Sequence, residues 1–97
     1  MNKLITALTE CEVLLREVNS MHWADKIEKK IQRLETDGPT NFHMQTILRW
    51  YGFMGAFDDI YICQSNGHDV TEEETYDVNV KLDKFIKTIH AEATRLK

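Results

Sequence analysis

The sequence predicts an all-α fold: a single-domain helical bundle over residues 1–97, with four to five helices, an irregular central segment (53–70) and a long C-terminal helix. Three observations support this prediction. Apolar residues recur at helical spacing near both ends of the chain, a Gly-Pro pair marks one helix end, and residues 53–70 lack a helical period. A length of 97 residues suits one domain, and 42% hydrophobic with 29% charged residues is ordinary for a globular protein.

The first predicted helix has the spacing of an amphipathic α-helix. Its apolar positions step by four, three, four and three residues, at Leu4, Leu8, Cys11, Leu15 and Val18. This spacing places them on one face of the helix. Asn2 is the expected N-cap, and Asn19-Ser20 are expected to end this helix and to cap the next one.

The second predicted helix has an apolar face and a basic face. The apolar residues are Trp23, Ile27, Ile31 and Leu34. The basic residues are Lys26, Lys29, Lys30 and Arg33. Because Asp25, Glu28 and Glu35 interrupt the basic residues, they indicate a solvated helix face rather than a nucleic-acid-binding one. The helix is expected to end at 36–39, where Gly38 and Pro39 break it.

A third, less regular helix is predicted to begin at Thr40 or Asn41. Its apolar stripe comprises Phe42, Met44, Ile47, Leu48 and Tyr51. Gly52 is expected to be its left-handed C-cap. Residues 57–59 are expected to begin a short helix, 60–63 to form a short extended segment, and 65–67 to form a turn.

The stretch WYGFMGAF (residues 50–57) is dense in aromatic residues, and we interpret it as a packing turn. Trp50, Tyr51, Phe53 and Phe57 are expected in the core, together with Trp23. Gly55 is expected to let the backbone pass close to a packed ring.

The last predicted helix spans residues 72–97 and begins at a capping box. In Thr71-Glu72-Glu73-Glu74 the threonine hydroxyl and the third glutamate are spaced to cap each other's backbone N–H. Its apolar stripe is Val78, Leu82, Phe85, Ile89, Ala93 and Leu96. At 1.5 Å per residue, this helix would be roughly 39 Å long and would form the spine of the bundle.

The charge distribution is more informative than the net charge of −4. Residues 51–80 contain seven acidic side chains and no Lys or Arg: Asp58, Asp59, Asp69, Glu72, Glu73, Glu74 and Asp77. Such a segment repels nucleic-acid phosphates and attracts basic proteins or cations. We therefore expect no direct nucleic-acid binding and a basic protein partner.

No catalytic or metal-binding motif accompanies this segment. Cys63, Ser65, His68 and Asp69 could supply parts of a nucleophile–base set, but GxSxG and cysteine-protease contexts are missing. The four histidines form no HExxH, and no CxxC is present. We expect no enzyme activity, cofactor or metal ion.

The cysteine usage and the hydropathy of the chain predict where it acts. Cys11 and Cys63 are expected to be buried free thiols in a reducing compartment. No segment has the apolar length of a membrane helix or a signal peptide. We therefore expect a cytoplasmic protein with no membrane partner.

The residues 50–60, WYGFMGAFDDI, and the later Asn66-Gly67-His68 resemble a group of small, uncharacterised bacterial proteins. These share a G-x-M-G-[SA]-F-[ND]-D core and an N-G-H turn. Ala56 and Asp58 stand where Ser and Asn are half expected. Proteins of this type resemble the immunity proteins of polymorphic-toxin and contact-dependent growth inhibition systems. The resemblance covers about twenty residues well and the helical frame only loosely.

The resemblance implies a protein that neutralises a cognate toxin, a basic nuclease domain, by stoichiometric occlusion through an acidic surface. The expected toxin-binding residues are Asp58, Asp59, Tyr61, His68, Asp69, Glu72, Glu73, Glu74, Tyr76 and Asp77. An alternative is a small helical regulatory or adaptor protein that forms a homodimer through its C-terminal helix.

Overall fold

The computed structural model describes all residues, Met1–Lys97. Four α-helices follow one another: α1 (Asn2–Glu17), α2 (Met21–Asp37), α3 (Asn41–Leu48) and α4 (Thr75–Leu96). Two short 3₁₀ helices, Phe57–Asp59 and Gln64–Asn66, lie in the connection between α3 and α4, and there is no strand. The all-α prediction, with its irregular middle and long last helix, is confirmed. None of the helices has the length and hydropathy needed to cross a membrane.

Helix α1 is the centre of the bundle, since it packs against both α2 and α4, while α3 packs on α4. All five residues of its predicted stripe are buried, together with Ala7. On α4 the buried residues include Leu82, Ile89 and Ala93 from the predicted stripe, and Ile86 in addition. The helical periods therefore identified most of the α1–α4 core.

The α1–α2 junction is formed by the backbone rather than by side-chain caps. Asn19 takes a positive φ of 61°. The Ser20 N–H donates to the Leu15 carbonyl at 2.7 Å and the Asn19 N–H to the Arg16 carbonyl at 3.1 Å, which is a Schellman ending. The Ser20 side chain makes no capping bond, and α1 begins at Asn2 itself with Met1 as its N-cap. The prediction of Asn2 as N-cap is wrong, whereas Asn19-Ser20 end α1 and Ser20 is the N-cap residue of α2 as predicted, without a side-chain bond.

Helix α3 begins as predicted but presents a different face to the core. Thr40 is the N-cap, and its hydroxyl accepts the His43 N–H at 3.2 Å. This register buries His43, Met44 and Ile47 and leaves Phe42 67% exposed, so Phe42 is wrongly predicted as core. The helix ends at Leu48, so Gly52 does not cap it.

Lys30 on α2 belongs to a half-buried polar network, which corrects the prediction of a fully solvated basic face. Its Nζ donates to Thr46 Oγ1 at 2.6 Å and lies 3.1 Å from His43 Nδ1, while His43 Nε2 lies 2.7 Å from Asp37 Oδ2. Because an ammonium only donates, Nδ1 accepts and Nε2 carries the proton shared with Asp37. Burial lowers the pKa of Lys30, and the hydrogen bond from His43 lowers the pKa of Asp37.

The capping box is present, but α4 starts three residues later than predicted. The Thr71 N–H donates to Glu74 Oε1 at 3.0 Å, and the Glu74 N–H donates to Thr71 Oγ1 at 3.2 Å. Residues 72–74 form a turn, and the regular helix begins at Thr75. The bonds from Thr71 lower the pKa of Glu74.

Candidate functional site

A cluster of four aromatic rings fixes the start of the α3–α4 connection. Phe57 is fully buried, and its ring centroid lies 5.3 Å from that of Trp23. The rings of Trp50 and Tyr51 each lie 5.6 Å from it, in edge-to-face orientation. The Tyr51 hydroxyl donates to the Ile86 carbonyl of α4 at 2.7 Å, and burial raises the pKa of that hydroxyl. The prediction that Trp23, Trp50, Tyr51 and Phe57 share one core is confirmed.

The tip of this connection, formed by Phe53 and Met54, points into solvent instead of into the core. Phe53 is 54% exposed and Met54 is 96% exposed, so the prediction of Phe53 as a core residue is wrong. A Cβ on Gly55 would meet nothing within 4 Å, so the expected close backbone approach is also wrong. Gly52 and Gly55 instead adopt φ values of 87° and 79°, a region that favours glycine.

Two of the predicted toxin-binding carboxylates hold this tip in place. Asp58 Oδ1 accepts the Gly52 N–H at 3.1 Å, and Asp59 Oδ2 accepts the Gly55 N–H at 2.9 Å. The Phe57 N–H also donates to the Trp50 carbonyl at 2.8 Å, which closes the loop. The second oxygen of each carboxylate makes no hydrogen bond within the chain. Each aspartate therefore orders the loop and retains a free acceptor.

The second half of the connection is tied to α4 and to the α1–α2 junction. The Asn79 amide accepts the Ile62 N–H at 2.9 Å and donates to the Ile62 carbonyl at 2.8 Å. It also donates to the Thr75 carbonyl at 2.8 Å. Further along, the Asp69 N–H donates to the Val18 carbonyl at 2.9 Å. Ile60 and Cys63 have extended backbone angles, in agreement with the extended segment predicted for residues 60–63.

We use the name acidic surface for the seven carboxylates of residues 51–80: Asp58, Asp59, Asp69, Glu72, Glu73, Glu74 and Asp77. All seven are exposed. None takes part in an ion pair; the seven ion pairs of the chain all involve other residues. These carboxylates therefore make no direct ion pair within the molecule, and Lys87 is the lysine that lines a surface depression together with Asp58.

Of the remaining three predicted toxin-binding residues, Tyr61 and Tyr76 are exposed, whereas His68 is bonded within the chain. Tyr61 and Tyr76 are exposed large side chains beside the acidic surface in sequence. His68 is half-buried, and its Nδ1 accepts the Cys63 N–H at 3.1 Å. With that bond, His68 stabilises the turn around Gly67, which has a φ of 82°.

The residues that could have formed a nucleophile–base set are used in local structure. Cys63 Sγ lies 3.2 Å from Ser65 Oγ, and the nearby His68 ring bonds a backbone N–H instead of either group. Both cysteines are free; Cys11 is buried as predicted, whereas Cys63 is half-buried. Burial raises the pKa of the Cys11 thiol to about 12. No three His, Cys, Asp or Glu side chains are grouped in a way that could hold a metal ion.

Sequence reasoning did not identify two of the features at this site, the Phe53-Met54 tip and the role of Asn79. The exposed Phe53-Met54 tip was hidden because aromatic density indicates a core. The two glycines on either side of the tip and the Asp-Asp pair after it could have revealed the tip. Together they are typical of a tight loop with side-chain-to-backbone bonds. Asn79 carried a weaker signal, being a polar residue near the inward stripe of α4.

The comparisons with known proteins give one result. A family model described as Domain of unknown function (DUF6966) matches residues 16–71, more than half of the chain. The matched segment includes α2, α3 and most of the α3–α4 connection. No curated protein and no solved structure matches the chain.

Proposed function

The chain belongs to the DUF6966 family, and we propose that it is an immunity protein of the contact-dependent growth inhibition type. In this proposal it binds a cognate bacterial toxin in the cytoplasm and neutralises it stoichiometrically. The observation that carries the proposal is the acidic surface, whose seven exposed carboxylates have no cationic partner within the chain. The resemblance of residues 50–60 and 66–68 to such proteins supports the same function.

The toxin class follows from charge complementarity. Like charges in one region repel each other and destabilise the free monomer, and a basic partner relieves that repulsion. A nuclease domain presents such a surface because it must bind phosphates, and exposed carboxylates can occupy the same positions. Inhibition then needs no chemistry by the immunity protein; it needs a stable surface that covers the substrate groove.

Charge reversal of Glu72 and Glu73 should slow the association of the toxin domain by about tenfold at low salt. We choose this pair and leave Glu74 unchanged, because Glu74 is needed for the capping box. The variant E72K/E73K should also show a weaker dependence of the association rate on ionic strength. Stopped-flow or surface plasmon resonance against the nuclease domain of a candidate toxin, sought among the neighbouring genes, measures both quantities.

A matched control separates surface position from net charge. E10K/E35K changes the net charge by the same amount at exposed glutamates on α1 and α2, outside residues 51–80. It should reduce the association rate much less. Equal rates for the two double variants would show that the acidic surface is not where the toxin binds.

The alternative, a homodimeric adaptor, is favoured by a groove of about 660 Å³ between α1 and α4. Ala7 and Phe85 line its floor, Glu10 lies on the α1 side, and Lys81 and Lys84 lie on the α4 side. Lys3 also lies on the α1 side, so a dimer would have to place Glu10 of one copy against Lys81 or Lys84 of the other. Light scattering after size exclusion tests this: a mass twice 11.4 kDa supports the dimer, and the monomer mass at about 0.1 mM excludes it.

A further inference from the structure

The Phe53-Met54 tip is the most exposed apolar feature of the molecule. Single exposed apolar side chains are normal on soluble proteins. Here two large ones are adjacent, 54% and 96% exposed, at the end of one tight loop. A surface depression of about 510 Å³ adjoins them, lined also by Gly52, Asp58 and Asp59. Apolar and acidic groups therefore share one small area.

The loop that carries the tip is ordered without any partner. Its base is the buried ring of Phe57, and the Phe57 N–H is bonded to the Trp50 carbonyl at 2.8 Å. The Ala56 N–H donates to the Phe53 carbonyl at 3.0 Å, and the two aspartates accept the glycine N–H groups. Because the backbone is already fixed, binding through this tip costs little ordering entropy.

The charge beside the tip defines the kind of surface that fits it. Asp58 and Asp59 each have one carboxylate oxygen engaged with the loop and one without a hydrogen bond. The free oxygens can accept bonds from Lys or Arg, and no cation of this chain is paired with them. A complementary partner therefore has an apolar pocket with basic side chains at its rim. Methionine and aromatic side chains are enriched in such interface centres.

We propose that Phe53 and Met54 are the apolar anchor of the toxin complex, and that they insert into a pocket of the nuclease domain. Asp58 and Asp59 pair with basic side chains at the rim of that pocket. This inference rests on the proposed function and adds to it the residues that determine the lifetime of the complex. The acidic surface at residues 69–77 governs encounter, whereas the tip governs dissociation.

The test uses F53A and M54A, singly and together, against a catalytically inactivated nuclease domain of the candidate toxin. Each single variant should weaken binding at least about tenfold, through faster dissociation, and should leave the salt dependence of association unchanged. The unfolding midpoint should not change for M54A, because its side chain is almost fully exposed. F42A is the matched control, since Phe42 is exposed to a similar extent on α3 and should bind like the unmodified chain.

The outcomes separate this inference from the proposed function. If the unmodified chain binds the nuclease domain and the tip variants bind equally well, the anchor is elsewhere and the immunity function stands. If F42A weakens binding as much as M54A does, the tip has no special role. If the unmodified chain does not bind, the proposed function fails and the anchor fails with it.

Discussion

Replacing Phe57 with Ala is expected to lower the free energy of unfolding by about 3–5 kcal/mol, the range for a fully buried Phe. Phe57 has no solvent exposure, and the rings of Trp23, Trp50 and Tyr51 lie around it at centroid distances of 5.3–5.6 Å. Its removal costs the transfer energy of the ring and leaves a cavity that three rigid side chains cannot easily fill. Urea unfolding followed by tryptophan fluorescence measures the loss, because both tryptophans flank the cavity.

The control for this prediction is Phe42→Ala, which removes the same side chain from an exposed position. It should change the free energy of unfolding by no more than about 0.5 kcal/mol. A loss below about 1 kcal/mol for Phe57→Ala would contradict the view that this ring holds the connection to the core.

Helical periodicity predicted most of the core of α1 and α4 because a long helix repeats its buried positions several times. In α1, the steps of three and four residues put Leu4, Leu8 and Leu15 on the face that packs against α2 and α4. In α3, only eight residues are helical, so the period gives few repeats. There the inward face was set by the Thr40 cap, which turned His43 inward and Phe42 outward.

The environment of His43 shows a second limit of sequence reasoning. A histidine is buried at 3% exposure only when its ring nitrogens are bonded, and here both partners come from a different element, α2. Lys30 of α2 reaches one nitrogen, and Asp37 at the end of α2 reaches the other. No periodicity in α2 distinguishes Lys30 from its solvated neighbours, because the distinction depends on where α3 packs.

The candidate site was predictable in its charge but not in its arrangement. The absence of Lys and Arg from residues 51–80 is visible in the sequence. The sequence does not show which of these carboxylates stabilise the fold, because that depends on backbone geometry. Asp58, Asp59 and Glu74 each accept backbone N–H groups, whereas Asp69, Glu72 and Asp77 make no side-chain bond. The latter set is therefore free to contact a partner at no structural cost.

Asn79→Asp is expected to lower the free energy of unfolding by about 2–4 kcal/mol. It should weaken the attachment of the α3–α4 connection to α4. The amide of Asn79 donates to the carbonyls of Ile62 and Thr75, both at 2.8 Å. A carboxylate cannot donate, so it loses both bonds and places negative charge against two carbonyl oxygens. It retains only the bond from the Ile62 N–H. Urea unfolding gives the stability change, and amide exchange at residues 60–63 locates it.

The pH dependence of the stability difference between Asn79→Asp and the unmodified chain provides a further test of this prediction. Repulsion from the two carbonyls should raise the pKa of the introduced carboxyl in the folded state above its unfolded value. Such a group destabilises the fold above the folded pKa, and the penalty disappears as pH falls towards the unfolded pKa of about 4. A protonated carboxyl also regains one donor. The stability difference between Asn79→Asp and the unmodified chain should therefore shrink on acidification.

Asn41→Asp distinguishes this mechanism from a simple effect of added negative charge. Asn41 is exposed at the start of α3, and an acidic residue there interacts favourably with the helix dipole. This control should therefore cost no stability at neutral pH. If it destabilises the chain as much as Asn79→Asp does, net charge and not the Asn79 amide would account for the loss. If only Asn79→Asp exposes residues 60–63 to exchange, one amide on α4 holds the segment between the Phe53-Met54 tip and the rest of the acidic surface.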